Sequence, residues 1–302
     1  MKMSLFKHFG RRLAAFGAIA ATACASAPAA ETKPASPALW KVADADTTIY
    51  LFGTIHLLPP GTQWRSPAFD KAAAGSDTLV VETDIDEADP SATIGELFKL
   101  AMSPGLPPLA ERVKPEKRAA LATAVAKSGI PPAAFDKMET WAAAFLLLAG
   151  QFKELGLESG SGVESALKKQ FVDGGKPIGQ LETNAEQLGF FDTLSEEAQR
   201  NFLEGVIDDA GAMKEQFGEM LAAWSRGDIA GIAKSFNADM GEAPELMDAL
   251  IARRNANWAK WVQSRLDQPG TVMMAVGAGH LAGDKSVVNL LEKQGLKVTR
   301  VQ

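Results

Sequence analysis

Apolar residues recur along this chain in two rhythms. Short β-branched or aromatic runs alternate with longer stretches in which apolar positions return every third or fourth residue. The first rhythm is that of strands and the second that of amphipathic helices. Strands are predicted at Thr47–Phe52 (TTIYLF, closed by Gly53), Thr78–Val81 (TLVV), Pro177–Leu181, Thr271–Val276 (TVMMAV) and Lys297–Val301. Helices are predicted over Pro115–Lys127, Pro132–Phe152, Ser195–Arg226, Pro244–Leu266 and Asp284–Gln294. Three of these open on proline, whose fixed φ suits a first helical turn. Strands gather towards both ends and helix dominates the middle. The pattern implies an α+β (α/β-like) fold: a mixed central β-sheet built from both ends of the chain, covered by a large helical insertion over about 85–270. Long apolar stripes such as Trp141, Phe145 and Leu148 need a surface to cover, and the sheet is the expected one.

Ahead of the first strand both rhythms are lost. Met1–Arg12 is basic, Leu13–Ala23 is an unbroken small and apolar run, and Ala-x-Ala sequences follow at Ala23-Cys24-Ala25 and Ala27-Pro28-Ala29. This reads as a bacterial-type secretory signal peptide, 1–27, too short for a membrane span. Residues 28–38, rich in Ala, Pro and Ser, read as a flexible linker, which leaves 39–302 as a single domain. Cys24 ends the apolar run where a lipoprotein precursor carries its lipid-modified cysteine, so lipid anchoring and plain cleavage are both open. Either route exports the mature chain, to the periplasm or to a lipid-anchored position on a bacterial membrane, with no transmembrane span. A lone cysteine excludes an internal disulfide and a Cys-based zinc site. The chain has 302 residues, 46% hydrophobic and 23% charged, with a net charge of −6. The signal segment is basic, so the mature chain is more acidic still. Such a domain offers no electrostatic footprint for nucleic acid or anionic lipid headgroups.

Candidate chemistry centres on histidine. His8 leaves with the signal peptide, and the two others both stand in G-x-x-H-L directly after an apolar strand: Gly53-Thr54-Ile55-His56-Leu57 and Gly277-Ala278-Gly279-His280-Leu281. At a strand-to-loop turn Gly supplies positive φ or close backbone approach. Each imidazole is thereby carried past the carboxyl end of its strand, where open α/β sheets build their sites. The TLVV and Pro177 strands end in Glu82 and Glu182. Two imidazoles with one or two carboxylates suit a single divalent Zn, Mn, Fe or Co. His56 and His280 should then face one cavity. On the Pro244 helix, Met247, Ile251, Trp258, Val262 and Leu266 form an apolar stripe with Asn255 inside it and Arg254 on its flank. A core-facing amide needs a hydrogen-bond partner, and the guanidinium points to an anionic one: Glu82, Glu182 or a bound carboxylate. An Arg that snorkels at the helix edge is the alternative. Ser161-Gly162-Val163-Glu164 offers a further carboxylate, but reads better as an S-x-x-E capping box. There is no H-E-x-x-H, no G-x-S-x-G and no Walker lysine loop, and the Gly277–Gly283 run departs from the dinucleotide fingerprint.

Taken in order, these residues resemble the TraB/GumN family, which is related to the animal Tiki proteases. The resemblance runs over about 39–302. It is carried by "LWKV…TTIYLFGTIHLLPPG", "DTLVVETD", "GVESALKKQF…GGKPIGQLETNAEQL", "RRNANWAKWV" and "TVMMAVGAGHLAGDKSVVNLLEKQGLKVTRV". It implies an α+β fold shared with ChaN-like and erythromycin-esterase-like proteins. In the Tiki branch it implies a metal-dependent protease whose metal site maps to His56, His280 and Glu82. The resulting expectation is an exported metal-dependent hydrolase, a peptidase acting on a peptide or protein substrate with a divalent Mn, Co or Zn. Glu82 and Glu182 would divide the roles of ligand and general base, while Arg254 and Asn255 would orient a carboxylate or stabilise an oxyanion. The alternative is a non-catalytic periplasmic peptide-binding or regulatory protein with the same pocket. A haem-iron carrier, by analogy with ChaN, ranks behind both, because only two His and no Cys are available in the body of the chain.

Overall fold

Strands β1 (Leu39–Ala43), β2 (Thr47–Thr54), β3 (Thr78–Val81), β4 (Ile178–Gln180), β5 (Gly270–Gly277) and β6 (Val298–Arg300) form one sheet in the order β4-β3-β5-β2-β1-β6. The structure is a computed structural model that describes residues 35–85, 91–157, 160–208, 212–240 and 243–302, the side chains of 92–94 and 237–240 excepted. The expected signal peptide, Cys24 and the first part of the expected linker lie outside the described residues. Strands β4, β3, β5 and β2 are mutually parallel, and β1 is antiparallel to both β2 and β6. The sheet is mixed, drawn from both ends of the chain, and outweighed by helix, so the fold is α+β.

The central strand explains the architecture. β5 has hydrogen-bonded neighbours on both edges, and Val272 to Val276 are all buried, so its apolar run shows no alternation. Its side chains still part by face. Met273 and Ala275 join Phe52, Phe69, Leu79 and Val163 in one core, while Met274 and Val276 join Leu51, Trp258, Val262 and Leu291 in another. Helices therefore cover both faces. Pro67–Gly75, Val163–Asp173 and Met213–Ser225 lie on the first, and Arg253–Leu266 and Val287–Lys293 on the second.

Several elements differ from the sequence pattern. β1 was not among the predicted strands, because Leu39 and Trp40 are both buried and break the alternation. The end of the linker is also bound to the domain: Ser36 N–H donates to the Ser225 carbonyl at 2.8 Å and the Gln302 side chain to the Pro37 carbonyl at 2.6 Å. The Pro132–Phe152 helix is broken into Pro132–Phe135 and Thr140–Glu154. The buried Arg112 guanidinium claims the carbonyls of Asp136 and Met138 between them, at 2.9 and 2.6 Å. The Ser195–Arg226 stretch forms two helices, Glu196–Asp208 and Met213–Ser225. The Trp141 stripe does not cover the sheet. Trp141 meets Phe145 edge-on at 5.8 Å and stacks on Phe191 at 6.2 Å, and Phe145 meets Phe202 at 5.8 Å. The Trp141 helix and its neighbours thus bury their stripes against each other, in cores separate from those of the sheet, while other helices of the insertion cover the sheet faces. Among the described residues, no helix is long and apolar enough to cross a membrane.

Candidate active site

Because β2, β3, β4 and β5 are parallel, their carboxyl ends share one edge of the sheet, and the residues just beyond them are His56, Glu82, Glu182 and His280. A Cβ on Gly277 would lie 3.2 Å from Glu82 Oε1, 3.5 Å from His56 Nε2 and 3.6 Å from His280 Cδ2. Side chains from three strand ends thus border one small space, kept open by the missing methyl group. Gly53 works in the same way. A Cβ there would come 3.1 Å from Ala278 Cα, so bare backbone lets the turn Ala278–Leu281 seat against β2. Neither glycine has a positive φ. Their use is close approach alone, the second of the two reasons the motif allowed.

His280 is buried, and its protonation follows from its partners. Asn255 donates its Nδ2 to the Lys285 carbonyl at 2.8 Å, which turns Oδ1 towards His280 Nδ1 at 2.6 Å. Nδ1 therefore carries the proton and Nε2 presents its lone pair. Burial pushes the imidazole down to about 3 against the pull of Glu82, so it is neutral at pH 7. Arg254 Nη1 lies 3.2 Å from that Nε2.

Arg254 is the hub of the site. A π-helical turn at Asp248–Ala252 precedes its helix, and burial then follows Leu250, Arg254, Trp258 and Val262 at steps of four, with Ile251 and Asn255 beside them. Arg254 thus lies on the buried stripe, only 6% exposed, and does not snorkel. Its Nε and Nη2 donate to Glu182 at 2.8–3.0 Å, its Nη2 to Glu82 Oε2 at 2.6 Å, and its Nη1 to the Leu250 carbonyl at 3.2 Å. The guanidinium also stacks 4.7 Å from the Trp258 ring. Trp258 Nε1 donates to Glu182 Oε1 at 2.9 Å, so both Glu182 oxygens are engaged by Arg254 and Trp258. Burial raises the Glu182 carboxyl, with Arg254 opposing.

Glu82 is held from three sides. The Gly277 N–H donates to Oε1 at 2.7 Å, and Arg254 and Gln187 donate to Oε2, the latter at 3.1 Å. Burial pushes this carboxyl up. The imidazoles of His280 and His56, the guanidinium and the Gly277 N–H more than reverse that and hold it at about 2. Gln187 belongs to the L-E-T…Q-L string but carried no role in the sequence. A capping box between Thr183 and Glu186 starts its helix directly after Glu182, which points Gln187 back at Glu82.

His56 stands at the mouth, its side chain 65% exposed, with Nδ1 2.7 Å from Glu164 Oε1. The Thr54 hydroxyl donates to the same oxygen. Glu164 raises His56 to about 9, burial opposing. This corrects the capping-box reading of Ser161–Glu164. The N-cap is Gly162 with no side-chain cap, and Glu164 in the first turn spends its carboxylate on His56. Gly162 is there for contact: a Cβ would fall 2.0 Å from the His56 carbonyl oxygen, and Val163 N–H donates to the Ile55 carbonyl at 3.1 Å. The sequence signal for Glu164 is this G-V-E, a helix start with no room for a Cβ.

The donor set suits a divalent ion. Each imidazole has Nδ1 tied to an acceptor, Glu164 or Asn255, which leaves Nε2 for a metal, and an ionised carboxylate borders the same space. As placed, however, no group of three or more His, Cys, Asp or Glu side chains among the described residues could hold an ion. The guanidinium of Arg254 bridges Glu82 Oε2 and His280 Nε2, while Glu82 Oε1 and His280 Nε2 stand 3.9 Å apart. Two clefts are lined by sequence neighbours of the histidines, and by neither histidine itself. One of about 360 Å³ runs past Leu58, Pro60, Trp64, Gly162 and Lys169 on the His56 side. The other, of about 290 Å³, is walled by Phe236, Met247, Ile251, Gly279 and Lys285 on the His280 side.

A stretch of 58 residues is 36% identical to a "Metalloprotease TIKI homolog" of Amphimedon queenslandica. That stretch covers 18% of this chain and 11% of the sponge protein, so the match spans a small part of either. No solved structure matches the chain. The model of the TraB/PrgY/gumN family matches residues 38–300, almost the whole of the domain. The chain is a member of the TraB/PrgY/gumN family.

Proposed function

We propose that this protein is an exported metal-dependent hydrolase that cleaves peptides or proteins, delivered to the periplasm or a bacterial membrane by residues 1–27. The observation that carries the reading is the convergence of His56, Glu82 and His280 on the space beside Gly277, at the carboxyl edge of a parallel sheet. His56 Nε2, His280 Nε2 and Glu82 would hold a divalent ion, with Mn, Co and Zn as candidates. Such an ion would acidify water and polarise a substrate carbonyl. Glu164 and Asn255 fix the two rings by their Nδ1 atoms. Glu82 would serve either as a ligand of that ion or as the base that takes the proton of an attacking water; Gly277 and Arg254 hold its carboxylate. Glu182 acts through Arg254: its oxygens are committed to that guanidinium and to Trp258, which makes it a positioning residue.

Elemental analysis of protein purified without chelator, followed by a peptide-library digest with Mn, Co and Zn added back, tests this reading. Bound metal and cleavage by the wild type are expected, with Glu82→Ala losing at least ~10²-fold in rate, as removal of a general base does. Wild-type protein that captures peptide tightly and cleaves none would instead establish the binding-protein reading. The full occupation of Glu82 and Glu182 by donors is the observation that favours that second reading.

A further inference from the structure

We propose that Arg254 is a built-in stopper of the metal position: its Nη1–H holds the His280 Nε2 lone pair, a divalent ion reaches His280 only when the guanidinium withdraws, and Glu182 is the latch that keeps it in place. This rests on the metal reading above and specifies how that site is loaded.

The argument is one of counting donors and acceptors. A neutral imidazole has one proton and one in-plane lone pair. The proton of His280 is committed at Nδ1 to Asn255 Oδ1, 2.6 Å away, so Nε2 is the only atom left for a metal. Arg254 Nη1 already lies 3.2 Å from that atom. An N–H donor and a metal cannot share one lone pair. The same guanidinium donates to Glu82 Oε2 at 2.6 Å, while Glu82 Oε1, 3.9 Å from His280 Nε2, accepts the Gly277 N–H, so Arg254 touches two of the three prospective ligands at once. Its positive charge also stands where the charge of an ion would be needed, in a 2.6 Å ion pair with the buried Glu82. Exchange of guanidinium for ion at Glu82 would therefore keep that carboxylate paired throughout.

What holds the stopper is Glu182. Arg254 Nε and Nη2 both donate to it, and Trp258 Nε1 fixes its Oε1 at 2.9 Å. The Glu182 N–H in turn donates to the Glu82 carbonyl at 2.9 Å, so the latch is anchored to the strand end that carries a prospective ligand.

Glu182→Gln separates this mechanism from plain electrostatics. The substitution removes a negative charge beside the site, which by Coulomb's law alone weakens cation binding. A loosened latch does the reverse. Zn²⁺ titrated by calorimetry into the full chain, with circular dichroism to confirm folding, is expected to bind Glu182→Gln about tenfold tighter than wild type, the scale of one lost charge-assisted hydrogen bond. Arg254→Met should bind at least as tightly as Glu182→Gln. In wild-type protein, Zn²⁺ should shift the side-chain ¹⁵N resonances of Arg254, a readout that stands if either variant fails to fold. Equal or weaker Zn²⁺ binding by Glu182→Gln overturns the stopper and leaves the metal reading standing, as do Arg254 resonances unmoved in Zn²⁺-bound wild type. Absence of Zn²⁺ binding in wild type and both variants overturns the metal reading itself, and the stopper with it.

Discussion

At the scale of single residues the site depends on atoms that are missing as much as on those present. Gly277 leaves the space that His56, Glu82 and His280 border, and Gly162 lets a helix start against the His56 carbonyl. Gly277→Ala should therefore be nearly silent for folding, because 3.2–3.6 Å contacts are tolerable with small shifts, yet should fill the site. We expect a melting temperature close to wild type together with loss of hydrolysis and of metal binding. Gly162→Ala should behave differently, since a Cβ 2.0 Å from a backbone oxygen forces the loop to move. Thermal unfolding should show it clearly less stable than wild type. Glu164→Gln tests the tether on His56. With the carboxylate gone, His56 should titrate well below the value of about 9 that Glu164 imposes, as read by NMR in chelator.

At the scale of elements, the helical insertion supports itself. Trp141 is fully buried among Phe145, Phe191 and its neighbours, so Trp141→Ala should cost ~3–5 kcal/mol by chemical denaturation. A second tie in this region is sensitive to pH. Glu204 accepts the Lys114 N–H at 2.8 Å and pairs with its Nζ at 2.9 Å. Burial raises this carboxyl, but the bonds from Lys114 prevail and leave it lowered. A carboxyl lowered on folding adds stability that is fully present above its unfolded pKa, ~4.5, and is lost as pH falls through the lowered value. Stability should decline as pH falls below about 4.5, and Glu204→Gln should show a flatter decline there.

At the scale of the whole molecule, sheet order decides which ends of the chain matter. β1 lies between β2 and β6, and so ties the start of the domain to its last strand. Removal through Ala43 should leave β6 unpaired and uncover Leu39's place in the core, giving a species that does not fold cooperatively in calorimetry.

How much of this was legible in the sequence follows from how local each cause is. Strands β2, β3, β4 and β5 could be read because their apolar runs depend on each strand's own side chains and on the Gly and Pro that bound them. The α+β class followed from where those runs fall. That His56, Glu82, Glu182 and His280 stand at strand ends was legible for the same reason: each closely follows an apolar run. Tertiary structure alone decided the rest. β1 needed β2 and β6 on its two sides to be a strand, and the Trp141 stripe needed partner helices before it could choose them over the sheet. Glu164 had the spacing of a cap, and only the approach of the β2 loop turned it to His56. Arg254, Glu182 and Glu82 come from three separate regions of the chain, and their shared hydrogen bonds exist only because the parallel sheet gathers its carboxyl ends on one edge. Periodicity and composition record what a segment buries; which partner satisfies a buried charge is a property of chain crossings, which no local pattern carries.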